Sequence, residues 1–320
     1  MEDYIAWTIQ HLCDQAKGRK LADCSEMSAS CELLAWGLLH RCTAKKVSLP
    51  TAEEARVRFS RLLEMVRGVG PVRAKRLRES EIETLEQLES HPYLAVAAKE
   101  AQAMLRGGPT QALLRHLGRK LGGQGRFASL LALGLTSPDE VAWLDLETLG
   151  LFNSVIFMAG VGHLEKGKLF VEQYLAKAPE EEPLLLERLT ERLAAFQVVV
   201  TYNGTAADLP WLRQRLYYHG LADFEPRCHL DLFPLLRWRY VRQEPRLTSA
   251  SLARVRRELL GWPEPVCEVP GWAVPHLYHA WMEKSSEGLL ALIADHNRDD
   301  VCATATASQL LAEEALKAWT

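Results

Sequence analysis

From residue 141 onward the chain changes rhythm, and that change limits the folds open to it. VAWLDLE (141–147), SVIFMAGVGHL (154–164) and GKLFVEQYL (167–175) are three strand-like apolar runs in succession. EKG at 165–167 separates the last two as a hairpin break would. EEPLLLERLTERLAAF (181–196) has amphipathic helical spacing, and VVVTYN (198–203) is a short buried strand. AADLPWLRQRLYYHG (206–220) reads as a helix closed by glycine. HLDLF (229–233) is a fifth strand or its end, while LARVRRELLG (252–261) and LLALIADHNRDDVCATATASQLLAEE (289–314) read as helices. The order β-β-β-α-β-α-β-α implies an α/β chain with a mixed sheet flanked by helices.

Acidic residues fall at the ends of these elements. Asp145 and Glu147 close the first strand, Asp208 follows the VVVTYNG strand, and Asp300 lies on the last helix. Alternation along a strand puts residues 145 and 147 on one face, so both carboxylates can point at one place. Hard cations such as Mg2+ or Mn2+ prefer oxygen donors. Two such ions can clamp the attacking and leaving oxygens of a phosphodiester. His296 lies four residues before Asp300 and so shares its helix face. Histidine is suited to orient or deprotonate a water nucleophile. Asp299 is a rival for Asp300, but adjacent helical residues point about 100° apart. The plain alternatives are a strand-end surface charge at 145 and 147, a helix N-terminal charge at 208 and a helix-face histidine at 296. Asn203 reads as a turn former, and His229 and Asp231 as structural residues at a sheet end. Tryptophans such as Trp143 and Trp211 fall in apolar patterns and read as core.

The first half of the chain has a different character. Residues 1–50 read as helical, with Leu33, Leu34, Leu38 and Leu39 as apolar positions. Thr51 and Glu54 form a helix-start signature after Pro50. In RLLEMVRGVGPVRAKRLRESEIETLEQL (61–88) the spacing predicts helix, tight turn, helix, break and helix. Gly68 and Gly70 permit unusual backbone angles, and Pro71 suits a first helical turn. Val72, Leu77, Ile82, Leu85 and Leu88 are expected to bury. The segment resembles a helix-hairpin-helix motif, which presents turn N–H groups to a phosphate. That resemblance implies nucleic-acid contacts from Gly68, Val69, Gly70, Arg73, Lys75 and Arg76, with Arg67 and Arg78 nearby. A basic helical hairpin that binds protein is the alternative. RGGPTQ (106–111) and GGQGR (122–126) predict mobile segments around QALLRHLGRKL. The expected organisation is residues 1–50, a hairpin region at 51–105, a linker with a helix at 106–135, and an α/β domain at 136–320.

Charge supports this division. Residues 1–135 hold 20 Lys+Arg against 15 Asp+Glu, and the remainder 18 against 26. A basic front and an acidic back fit a phosphate grip joined to a cation-loaded centre. At 320 residues there is room for two domains. The longest apolar run, VIFMAGVG, is too short to span a bilayer, and MEDYIAWTIQHL lacks a signal-peptide layout. A cytoplasmic location without membrane partners is expected. Cysteines 13, 24, 31, 42, 228, 267 and 302 form no CxxC pair and read as reduced, buried residues.

Together these pieces resemble a known family. LDLETLG, the acidic helix before VVVTYNG, the YNG…D pattern, HLDL with its arginine-rich sequel, PGWAVPHLY (270–278) and HNRDDV (296–301) occur in order. They are similar to the YprB-type ribonuclease-H-like domain of the DEDD 3′–5′ exonuclease superfamily, over residues 141–314. The resemblance implies a ribonuclease-H-like mixed sheet preceded by an all-α region. It implies a 3′–5′ exonuclease with two Mg2+ or Mn2+ ions on Asp145, Glu147, Asp208 and Asp300, and His296 at the water. The hairpin favours DNA over RNA. The superfamily places a tyrosine four residues, or a histidine five residues, before the last aspartate. This chain has histidine at the tyrosine spacing and Asp295 at the other, which leaves the base role of His296 open. A catalytically inactive binding module, an RNA exonuclease and a structure-selective endonuclease remain alternatives on the same site.

Overall fold

The structure, a computed structural model, describes residues 2–20, 29–33, 37–150, 154–263 and 268–318. In chain order the elements begin with helix α1 (Glu2–Gln15) and strands β1 (Ala29–Leu33) and β2 (Gly37–Lys46). Helices α2 (Ala52–Ser60), α3 (Pro71–Glu79), α4 (Leu85–Leu88), α5 (Ala95–Arg106), α6 (Gln111–Leu121) and α7 (Gly123–Ala128) follow. Then come β3 (Val141–Thr148), β4 (Ile156–Glu165), β5 (Lys168–Ala176), α8 (Glu182–Leu193), β6 (Val198–Thr201), α9 (Asp208–Tyr218) and β7 (Cys228–Asp231). The chain closes with α10 (Leu232–Leu236), α11 (Leu252–Arg254), α12 (Val274–Lys284) and the long α13 (Glu287–Ala318).

The strands form one sheet in the order β1-β2-β5-β4-β3-β6-β7. β3 pairs antiparallel with β4 and parallel with β6, and β6 pairs parallel with β7. The mixed α/β sheet expected from the sequence is therefore present. The EKG break is a tight turn in which Lys166 and Gly167 both have positive φ, 50° and 76°. Alternation along β3 divides the two faces. Val141 and Trp143 pack into one apolar cluster with α13, while Ala142, Leu144 and Leu146 pack into another with α8 and α9. Asp145 and Glu147 thus continue the α13 face.

β4 lies close beneath α13 because two of its residues have no side chain. A Cβ on Gly160 would lie 2.2 Å from Asn297 Oδ1, and one on Gly162 would lie 2.7 Å from Val301 Cγ1. The AGVG run of β4 therefore sets the height of the helix that carries His296 and Asp300. A third cluster joins α1, α12 and the first turns of α13 through Leu12, Tyr278 and Ile293.

Three expectations need correction. Residues 1–50 are not helical throughout, because β1 and β2 are strands that extend the sheet beyond β5. Gly37–Thr43 ladders onto Phe170–Ala176, and such pairing overrides a local leucine-rich helix preference. Cys24, Leu34 and Cys267 lie outside the described residues. The segment 106–135 is packed rather than mobile: Leu113, Leu117, Phe127 and Leu130 are buried in the same cluster as Trp143 and Val198. Its glycines serve close approach, since a Cβ on Gly125 would lie 1.9 Å from Leu117 O and one on Gly123 2.3 Å from Trp238. Val72 is exposed, not buried. α3 turns Ala74 and Leu77 inward, and residue 72 lies on the far side of the helix from 74.

The hairpin segment otherwise takes the expected course. Thr51 Oγ1 accepts from Glu54 N at 3.2 Å while Glu54 Oε2 accepts from Thr51 N at 2.8 Å, closing a capping box. Gly68 has φ +87°, Gly70 caps α3, and Pro71 begins it. Of the free cysteines, Cys228 and Cys302 are buried and Cys13 half-buried. Among the described residues no helix is long and apolar enough to cross a membrane.

Candidate active site

At the end of β3 the strand runs out beside the start of α9. Leu146 N donates to Asp208 Oδ1 at 3.1 Å, fixing the Asp208 carboxylate between its two neighbours on the strand. The turn leading to α9 is itself constrained. Asn203 sits in the left-handed region at φ +66°, and a Cβ on Gly204 would lie 2.3 Å from Thr201 Oγ1. Asp231 accepts from Asn203 N at 2.8 Å, Thr205 N at 3.0 Å and Phe233 N at 3.1 Å. His229 meets Thr201 Oγ1 at 2.8 Å. Asp231 and His229 thus hold the turn, and Asn203 shapes it.

α13 supplies the opposing wall. Asn297 is fully buried and donates from Nδ2 to Asp145 Oδ2 at 2.8 Å. Its Oδ1 accepts from Gln173 Nε2 at 2.9 Å, and Gln173 also donates to Ala294 O at 2.7 Å. Gln173 on β5, Asn297 on α13 and Asp145 on β3 form one relay across three sheet strands. His296 Nε2 stands 3.8 Å from both Glu147 Oε1 and Asp300 Oδ2. These distances place the imidazole between two carboxylates without a hydrogen bond to either. Arg256 lies 3.1 Å from Asp300 Oδ1, but out of hydrogen-bonding geometry, so this buried oxygen has no hydrogen-bond partner. Asp299 pairs with Arg298, and Asp295 with Arg298 and Arg19. Neither joins the inner group.

The structure therefore brings Asp145, Glu147, Asp208, His296 and Asp300 to one end of the sheet. Glu147 and Asp208 are buried, and Asp145 and Asp300 keep a small open surface. Desolvation raises all four carboxyls. Asp145 is held well above its ordinary range by burial, then by the charges of Glu147, Asp300 and Asp208. Burial pushes Glu147 up to about 7, opposed by His296 and reinforced by Asp300 and Asp208. Burial pushes Asp208 up to about 7, against the hydrogen bond from Leu146 N. Asp300 is raised by burial, with His296 and Arg256 opposing. Among the described residues no three His, Cys, Asp or Glu side chains close round a single metal position. The donor set nevertheless fits a hard divalent cation: four carboxylates, mutually repelling, one with a buried oxygen that accepts no hydrogen bond. A bound cation would supply the charge these carboxylates lack.

Sequence reasoning missed Asn297, Gln173 and Arg256. The signal for Asn297 was available: it is the polar member of the buried stripe Ile293, Asn297, Val301, Ala305 on α13. Gln173 looked like any polar residue in an alternating strand. Away from this centre, Arg73 Nη1 donates to Gly68 O at 3.2 Å and Lys75 approaches Glu79 at 3.9 Å, while Val69 is buried. Gly70, Arg73 and Arg76 line one surface at the start of α3.

A sheet of this topology, with carboxylates on its central strand and its last helix, defines a class. A family model described as RNase_H superfamily matches residues 142–312, and the chain belongs to that superfamily. Its fold is that of nucleases that generally use divalent metals. The chain is 28% identical over 170 residues to the uncharacterized protein YprB of Bacillus subtilis (strain 168), covering 51% of this chain and 40% of that protein. A solved family B DNA polymerase from the hyperthermophilic archaeon Pyrobaculum calidifontis is similar at a TM-score of 0.41 and 16% identity. That match covers 91% of this chain and 45% of the polymerase chain. The chain thus spans less than half the length of either protein.

Proposed function

We propose that the protein is a 3′–5′ exonuclease acting on DNA, with two Mg2+ or Mn2+ ions held by Asp145, Glu147, Asp208 and Asp300. The observation that carries this reading is the gathering of four desolvated carboxylates from three distant segments, with Asp145 subject to the charge of the other three. Such repulsion is relieved when positive charge enters. Divalent ions bound there would stabilise the attacking and leaving oxygens of a phosphodiester, the chemistry they supply in two-metal sites.

The protein's own groups then have distinct tasks. Asn297, steadied by Gln173, fixes the rotamer of Asp145. Leu146 N does the same for Asp208. His296 stands between Glu147 and Asp300, where it can orient a water and accept its proton. The glycine-rich hairpin at 68–70, with Arg73, Lys75 and Arg76, would hold backbone phosphates at the start of α3. The preference for DNA rests on that hairpin.

The test uses single strands of DNA and RNA labelled at either end, incubated with Mn2+, Mg2+ or chelator. The reading predicts metal-dependent loss of mononucleotides from the 3′ end, faster on DNA. Release from the 5′ end or internal cuts would replace it with another nuclease mode. No cleavage under any condition would leave a binding module.

A further inference from the structure

We propose that α6 and α7 carry a second phosphate-binding track, formed by Arg115, Arg119 and Arg126, that leads a single nucleic-acid strand along the β7 side of the sheet to the candidate active site. This inference rests on the nuclease reading for its direction, but not for its chemistry. The three arginines line a groove of about 410 Å³ between α6, α7 and the β7–α10 junction. All three are exposed, and none of their side chains has an acidic partner or a hydrogen bond among the described residues. Arg213 and Arg254, by contrast, are paired with Asp223 and Glu258. Arg115 and Arg119 are four residues apart on one helix, so they stand about 6 Å apart along its axis. Successive phosphates of an extended strand have a similar spacing.

Among the described residues one acid lines the groove, Asp231, and it is already satisfied by three backbone N–H groups. Positive charge therefore dominates. The groove also lies in register with the carboxylates. Thr201 pairs with both Leu144 and Asp231, so Asp231 is two strand spacings, about 10 Å, from the level of Asp145. The adjoining face of α6 touches the hairpin, where His116 Nε2 meets Met65 O at 2.6 Å and Lys120 donates to Val66 O at 3.4 Å. α6 thus stands between the glycine turn and the sheet.

The test measures binding of a fluorescent oligodeoxythymidylate by the full chain in chelator, across a salt series. Replacing all three arginines by glutamine should weaken binding at least tenfold. It should also flatten the salt dependence by about 2, since each single-strand phosphate contact contributes about 0.7 to the slope. The triple Arg→Lys variant should keep the slope. Where the triple glutamine variant does not fold, Arg119→Gln alone should flatten it by about 0.7. An unchanged slope in a folded glutamine variant overturns the track. If cleavage by the unsubstituted protein is found while the slope is unchanged, the nuclease reading stands and the track falls. If the slope is lost but no cleavage is ever found, the track stands and the nuclease reading falls.

Discussion

Raising the pH should destabilise the metal-free protein, and Glu147 gives the size of the effect. Its carboxyl titrates ordinarily at 4.5 and is pushed up to about 7 by burial in the folded chain. Between those values the unfolded state has lost its proton and the folded state has not. The folded state therefore binds more protons, and stability falls as pH rises from about 4.5 to about 7, then levels off. A shift of roughly two and a half units corresponds to about 3 kcal/mol at about 1.4 kcal/mol per unit, an upper bound because neighbouring carboxyls titrate together. Asp208, raised from 3.8 to about 7, adds a loss of the same sign. Urea denaturation in chelator at pH 5 and pH 8 measures the difference. Glu147→Gln cannot ionise, so its stability should fall less over the same interval. A divalent ion at a hundred times its dissociation constant should restore about 2.7 kcal/mol at pH 8. Equal wild-type stability at pH 5 and 8, or the same pH slope in Glu147→Gln, would refute the reasoning.

Other outcomes follow from single contacts. Glu182 is wholly buried, accepts from Arg215 Nε at 2.8 Å and Ile156 N at 2.8 Å, and also faces His219. Glu182→Ala removes the acid of a buried ion pair and should cost about 3–5 kcal/mol by denaturant titration. Gly160→Ala drives a methyl into Asn297 and Val301, so it should cost about 1–3 kcal/mol and lower cleavage together with stability. Gly68→Ala meets nothing closer than 3.7 Å, so its cost should be the backbone alone, about 1–2 kcal/mol by thermal melting. Asn297→Ala frees Asp145 and should reduce kcat about 10–100-fold, the range for lost orienting partners at metal sites, with residual activity still dependent on metal.

The sheet was legible where neighbouring residues alone dictate pairing. β3, β4 and β5 announced themselves through three apolar runs and a two-residue turn, and the structure places them at those residues. β1 and β2 did not, because their partner β5 lies more than a hundred residues away and leucine-rich sequence has no strand signature of its own. The helix at 111–121 was legible as a helix, but the glycine-rich stretch that forms α7 was misjudged as mobile. Glycines that permit contact and glycines that permit motion look alike until Trp238 and Leu117 are seen against them. Three of the acids could be read from their positions at element ends, and Asp300 from the HNRDDV run on the last helix. The relay that orients them could not, since Gln173 and Asn297 meet only when α13 settles on two glycines of β4.

The central claim is that these carboxylates form one cation-dependent hydrolytic centre, and Asp145→Asn tests it most directly. The substitution keeps an oxygen to accept from Asn297 and removes the charge at the middle of the group. With 3′-labelled single-stranded DNA and Mn2+, the account predicts cleavage reduced by about 10³-fold or more, a loss of about 4 kcal/mol in transition-state stabilisation, while the melting temperature in chelator at pH 8 is unchanged or higher. Full Mn2+-dependent activity in Asp145→Asn would contradict it.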